Sequence, residues 1–186
     1  MVYKRRRARA PRTIQGGQIT LWLAVHEAGH VIARIQLLAA WNLTGLGNPV
    51  ALESVHVWID QHRQPRGLCQ WGYKKPLSFR YQAIISAAGP VAEARIRHAK
   101  RYDCLITGED FDIIMRSKKR GLADLDEALS EASSIVRACW PEIMKLGLHL
   151  QTHRDLTFLD VSAILDLKNG RRLYDETTRP SIRYGA

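Results

Sequence analysis

Apolar positions along the chain follow two periodicities, which divide it into several helices and one small sheet. From Gln18 to Ala40 the run is apolar and helix-compatible, interrupted chiefly by His26, Glu27, His30, Arg34 and Gln36. A run of that length and character predicts a helix. Gly16 and Gly17 punctuate the chain before it, and Asn42, Gly45, Gly47, Asn48 and Pro49 form a turn-rich stretch after it. Ser54 to Ile59 is β-branched and aromatic and predicts a strand. Leu68 to Tyr73 predicts a weaker second strand, joined to the first as a hairpin through the polar loop Asp60 to Gly67.

Helical spacing returns with Tyr81, Ile84, Ile85, Ala88, Val91, Ala92 and Ile96. Pro90 inside this pattern predicts a kink, or a fresh helix start just after Gly89. Phe111, Ile114 and Met115 mark a short helix, and Leu122 to Trp140 a longer amphipathic one. Pro141 opens the next helix in its first turn, and Phe158 to Leu167 forms a last short helix with Thr157 as its N-cap. The expected fold class is α+β, mostly helical, with one small β-sheet or hairpin.

Composition narrows the picture. With 186 residues, 46% of them hydrophobic, the chain has material for one sizeable core. That core is expected over residues 18–167, between a basic arm (1–17) and a polar tail (168–186). Lys4, Arg5, Arg6, Arg7, Arg9 and Arg12 carry six of the +10 formal charges before any acid appears. Such a block reads as a solvated, disordered arm that can also contact nucleic acid, anionic lipid or an acidic partner. Cys69, Cys104 and Cys139 stand far apart, which argues against a disulfide framework or a cysteine zinc site. They read as small buried apolar residues in a reducing, cytoplasmic setting. The ionisable residues between Ile19 and Ala40 argue against both a membrane span and a secretory signal.

The chemistry concentrates in His26-Glu27-Ala28-Gly29-His30, an HExxH motif in the middle of the first predicted helix. A helix advances about 100° per residue, so the two histidines lie about 40° apart, one turn apart on one face. Two imidazoles so placed can grip one zinc ion, with Glu27 on the flank as a base for a water molecule. Gly29 costs about 1 kcal/mol relative to Ala in a helix, which predicts a close neighbour there. A catalytic zinc needs a third protein ligand. The pattern HExxHxxGxxH fails, because Ala33 and Gln36 occupy the glycine and third-histidine positions. Glu93 is the candidate in a layout that takes a glutamate from a following helix. Its other readings are a residue orienting a zinc-bound histidine, or an ordinary salt bridge. His56, His62, His98, His149 and His153 show no such pairing and read as structural or surface residues.

Four ordered features carry a family resemblance: His26-Glu27-Ala28-Gly29-His30-Val31, the strand Ser54 to Ile59, Ala87-Ala88-Gly89-Pro90-Val91-Ala92-Glu93-Ala94, and Thr107-Gly108-Glu109-Asp110-Phe111-Asp112-Ile113. Together they resemble the peptidase domain of FtsH-type, membrane-anchored AAA+ zinc proteases, and more closely its small standalone relatives. The resemblance implies a zincin-like helical peptidase domain, a zinc cofactor held by His26 and His30, and Glu27 as general base. It assigns the third ligand to Asp112, with Asp110 as the rival; the other acid then serves the helix dipole. It also implies an extended peptide substrate paired on the edge of strand Ser54 to Ile59, with Trp58 either walling the substrate or packing.

Departures from the family appear at Arg116, where a small apolar residue is usual, and in the stretches Trp41 to Leu52 and Ser117 to Gly121. No GxxxxGK[ST] segment is present. The implied activity is therefore ATP-independent cleavage of unfolded or flexible protein segments, alone or beside a separate ATPase or assembly partner. The reading from a different class is a non-catalytic, zinc-binding, peptidase-like protein that docks to nucleic acid or an assembly through its basic arm. The intact Glu27 argues against it.

Overall fold

The computed structural model describes residues 19–42, 50–60, 65–73, 77–100, 106 and 108–166. The basic arm, the polar tail, Cys104, Thr107 and His62 lie outside the described residues. Among these described residues, six helices and three strands follow in the order α1 (Leu21–Asn42), β1 (Val50–Ile59), β2 (Pro65–Tyr73), α2 (Phe79–Ile96), α3 (Gly108–Lys119), α4 (Leu125–Ala138), α5 (Trp140–His153), β3 (Asp155–Thr157) and α6 (Phe158–Ile164). The fold is α+β and mostly helical, with one antiparallel three-stranded sheet. Among the described residues, no helix is long and apolar enough to cross a membrane.

Helices α1 and α2 form the central pair. α2 is buried without a break from Ala83 to Ala94, which explains its weak amphipathicity: its small residues meet neighbours on every side. α1 packs against α2, α5 and the sheet, while α4 and α3 cover other parts of α2. Gly29 marks the crossing of the central pair. A Cβ there would lie 2.7 Å from the Ala88 carbonyl oxygen and 2.9 Å from the Ala92 Cβ, so the close neighbour expected from the sequence is the backbone of α2. Val25, Val31, Ile32, Ile84, Ile114, Ile143, Leu146 and Leu150 are fully buried around this crossing.

Local signals set the helix ends. Ser78 caps α2 by accepting from the Tyr81 amide, and Asp124 caps α4 by accepting from the Glu127 amide. Pro141 sits in the first turn of α5. Thr157 caps α6 in a reciprocal capping box with Asp160, as its sequence position predicts. Pro90 neither ends α2 nor starts a new helix, since α2 runs through it from Phe79 to Ile96. Around Pro90, Ala87, Ala88, Gly89 and Ala92 are small and buried, so neighbouring elements pack closely on this segment.

The strand order is β2-β1-β3. β1 pairs with β2 along its length, with an irregularity between Leu52 and Ser54, and Ser54 to His56 also pair with β3. This corrects the expectation that Ser54 to Ile59 presents a free edge to substrate. That strand is central, and β2 and the short β3 are the two edges. The three-residue β3 escaped the sequence reading because so short a segment carries no periodicity. Trp58 shares the face of Ser54 and His56 by strand alternation, opposite the buried Val55 and Val57, and so faces away from α1.

Candidate metal centre

The HExxH turn of α1 lies where α2, α3 and β2 meet. His26 and His30 bring their rings to 4.8 Å between centroids in an edge-to-face arrangement. α2 reaches them at Gly89, where any Cβ would overlap His30 Nε2 and lie 2.8 Å from His26 Cδ2. The Ala-Gly-Pro stretch read as part of a helix therefore also gives the imidazoles their room.

Each ring is tied off at Nδ1. His26 Nδ1 donates to Glu93 Oε2 at 2.9 Å, and His30 Nδ1 donates to the Ile85 carbonyl at 2.7 Å. Both partners only accept, so both Nδ1 atoms carry hydrogen. In the neutral tautomer this leaves a lone pair on each Nε2, the arrangement that orients metal-bound histidines. Glu93 is in turn held by Arg97, whose guanidinium donates to Oε1 at 2.6 Å. The Glu93 carboxylate thus contacts His26 with one oxygen and Arg97 with the other.

The third member is Asp110, in the first turn of α3. Its Oδ2 lies 3.5 Å from His26 Nε2 and 3.4 Å from His30 Nε2. Those separations are long for a charged hydrogen bond, which runs about 2.7–2.9 Å. They match the edge of a tetrahedron around a cation with bonds of about 2.0–2.1 Å, which is about 3.3 Å. Asp112, the residue that the resemblance favours, stands elsewhere: it is exposed, and its carbonyl accepts from Arg116 on the outer face of α3. The physical reason is helix phase. Asp110, Ile114 and Ser117 are spaced i, i+4, i+7, and Ile114 and Ser117 are completely buried, so this stripe faces the core. Asp112 lies about 200° around the helix from Asp110.

Glu27 is buried, and a carboxylate oxygen of Glu27 lies within 4.8 Å of the ligand atoms of both histidines. Its side chain enters the space beside Gly67 of β2, where any Cβ would overlap the carboxylate. Cys69, two residues along, places Sγ 3.4 Å from Glu27 Oε2. From the sequence Gly67 reads as the end of a loop and Cys69 as a small buried apolar residue, with neither placed beside Glu27. Their i, i+2 spacing on a strand, which puts them on one face, was the available signal.

The electrostatics favour a cation. Burial is the largest single influence on His26 and opposes its charged form, yet the nearby Asp110 carboxylate, the hydrogen bond to Glu93 and the Glu27 charge overcome it and raise its pKa to about 10. Burial likewise opposes charge on His30, and Asp110 outweighs it, so that pKa is raised too. Burial pushes Asp110 up, but the charge of His30 and the closeness of both rings hold it well below the usual carboxylate range. Three carboxylates thus converge on two imidazoles, and the cluster is balanced by protons or by a divalent ion. The donor set of two imidazoles and one carboxylate suits zinc, and the partial exposure of His26, His30 and Asp110 leaves an approach for water.

A second polar constellation lies on the far face of the sheet. Ser54 Oγ is 2.7 Å from His56 Nε2, and His56 Nδ1 is 2.7 Å from Asp155 Oδ1. The order is that of a hydrolase triad, but the Asp155 side chain is 70% exposed and the Ser54 hydroxyl also donates to Gln70 at 3.0 Å. It is a polar seam joining three strands across their outer face, consistent with the structural reading of His56. No family model matches the chain, and no curated protein matches it either.

Proposed function

We propose that this chain is a zinc-dependent metallopeptidase that cleaves flexible or unfolded protein segments, with His26, His30 and Asp110 as ligands and Glu27 as general base. The observation that carries the reading is the convergence of two Nε2 atoms and one carboxylate oxygen at tetrahedral-edge spacing, with both Nδ1 atoms already engaged. Zinc, when bound there, supplies Lewis acidity and draws the pKa of a water molecule toward ~7.

The chain's own residues do the rest. Glu93 and the Ile85 carbonyl hold the rings so that they present Nε2. Glu27 accepts a proton from the attacking water as the new C–O bond forms at the peptide carbonyl. It then passes that proton to the amide nitrogen as the C–N bond breaks. β2 supports an extended substrate: its inner face carries Gly67 and Cys69 against Glu27, and among the described residues no strand pairs with its other edge. Main-chain pairing along that edge favours an unfolded chain over a folded one. A separate ATPase or assembly can deliver such a chain, and the basic arm offers a contact for it or for nucleic acid.

The test is metal analysis with cleavage of a casein-type substrate. About one zinc per chain is expected in reconstituted wild type and in Glu27→Gln, with cleavage lost only in the latter. Cleavage that persists in Glu27→Gln refutes the mechanism. Zinc binding with no cleavage in wild type favours a non-catalytic, peptidase-like binding protein.

A further inference from the structure

We infer that Cys69 is a positioning residue for the reaction: its thiol anchors the Glu27 carboxylate against Gly67 and fixes the plane in which that carboxylate receives the proton. This rests on the peptidase reading above.

The argument begins with strand geometry. Cys69 pairs with Val55 and Gly67 with Val57, and directly opposed residues share a face. Val55 and Val57 are buried, so Cys69 and Gly67 both face the core side of the sheet, toward α1. The Glu27 carboxylate lies in the gap that the missing side chain of Gly67 leaves, and Cys69 Sγ closes the gap at 3.4 Å from Oε2 and 3.9 Å from the Glu27 carbonyl oxygen. The residue as a whole is partly exposed, but its sulfur is turned inward.

A buried carboxylate needs a donor, and here the thiol supplies one. Burial, reinforced by the Glu27 charge, pushes the Cys69 thiol well above its usual pKa. It therefore remains S–H and donates, rather than becoming a thiolate that competes for the cation. The terminal torsion of a glutamate is broad and two-fold, so packing against one face leaves the carboxylate plane loosely defined. A donor on one oxygen removes that freedom. Reaction geometry is sensitive to displacements of about 1 Å, so the anchor should show in turnover more than in binding.

Cys69→Ala and Cys69→Ser are compared with wild type for zinc content, melting temperature, kcat and KM. In Cys69→Ala, zinc content and KM stay unchanged while kcat falls about tenfold. In Cys69→Ser much of the loss is recovered, because a hydroxyl donates to the same oxygen. A structural role alone would lower the melting temperature without the serine rescue.

The second measurement needs no activity. The S–H stretching band of Cys69, isolated by subtracting the infrared spectrum of Cys69→Ala, moves to higher frequency in Glu27→Gln as the charged acceptor is lost. A band that stays in place overturns the inference, as does unchanged kcat in a zinc-loaded Cys69→Ala protein. If wild type cleaves nothing, the peptidase reading and the catalytic role of Cys69 fall together, while a band shift still establishes the contact itself.

Discussion

Asp110→Ala tests the metal centre most directly, because the sequence alone favours its neighbour. Asp110 Oδ2 lies 3.4 and 3.5 Å from the two imidazole Nε2 atoms, whereas Asp112 is exposed. Structural zinc sites with four protein ligands bind with about 10–16 kcal/mol, or roughly 3 kcal/mol per ligand. Loss of one ligand of three therefore weakens zinc binding by about 10²-fold, at about 1.4 kcal/mol per tenfold. Asp112→Ala removes an exposed side chain and changes zinc affinity by less than about twofold, as expected for a surface substitution within ~0.5 kcal/mol.

The assay is competition against a chromophoric chelator, with melting of the metal-free proteins as a control. That control matters because Asp110 also stabilises both imidazolium forms, so its removal affects the metal-free state. Competition curves from proteins that remain folded isolate the ligand's contribution. The reverse pattern, with zinc lost in Asp112→Ala and retained in Asp110→Ala, would refute both the helix phase of α3 and the site built on it.

Other perturbations separate the layers of the site. Glu93→Gln retains the fold but weakens zinc binding by about 10–100-fold, the usual effect of losing a carboxylate behind a metal-bound histidine; unchanged chelator competition would count against that role. Gly29→Ala drives a methyl into the Ala88 carbonyl and the Ala92 side chain at the α1–α2 crossing. About 2 kcal/mol of stability, or roughly 4–8 °C in melting temperature, is lost despite the better helix propensity, and a rise in melting temperature would contradict the crossing. Zinc uptake releases protons at neutral pH, because His26 in the metal-free protein keeps its proton up to a pKa of about 10 and binds metal only when neutral. Apparent affinity therefore tightens as pH rises from about 6.5 toward 9. Calorimetry in buffers of different ionisation enthalpy reads this directly, and a flat profile excludes it.

The elements were readable from sequence wherever a local rule decides them. The long α1 run, the Thr157 cap, the first-turn Pro141 and the β-branched core of β1 each appear where their residues place them. What the sequence left open or misplaced depends on relations between elements. The position of β1 in the sheet turns on β3, a segment of three residues recognised only by its pairing with Ser54 to His56. Continuity of α2 through Pro90 depends on neighbours that hold the chain there. The choice between Asp110 and Asp112 depended on which face of α3 is buried. The Ile114–Ser117 stripe, read back by one turn, selects Asp110.

The same relations explain how a short motif becomes a site. An HExxH turn sets two histidines one turn apart, but it does not supply a third ligand, orient the rings or hold the glutamate. Those functions come from three other elements, and two of them, α2 and β2, approach α1 more closely than ordinary side chains permit. α2 does so at two points: Gly29 of α1 admits its backbone, and its own Gly89 clears the rings. That approach brings the Ile85 carbonyl and Glu93 to the two Nδ1 atoms. β2 does so at Gly67, which admits the Glu27 carboxylate and brings Cys69 to it. α3 makes its approach end-on, with Asp110 in its first turn just after a glycine of positive φ, Gly108 at +58°. Enlarging Gly67 should therefore disturb the base while sparing the ligands, and enlarging Gly89 should disturb both histidines at once. Gly67→Ala that retains zinc but loses turnover, beside Gly89→Ala that loses zinc, is the pairing this arrangement requires.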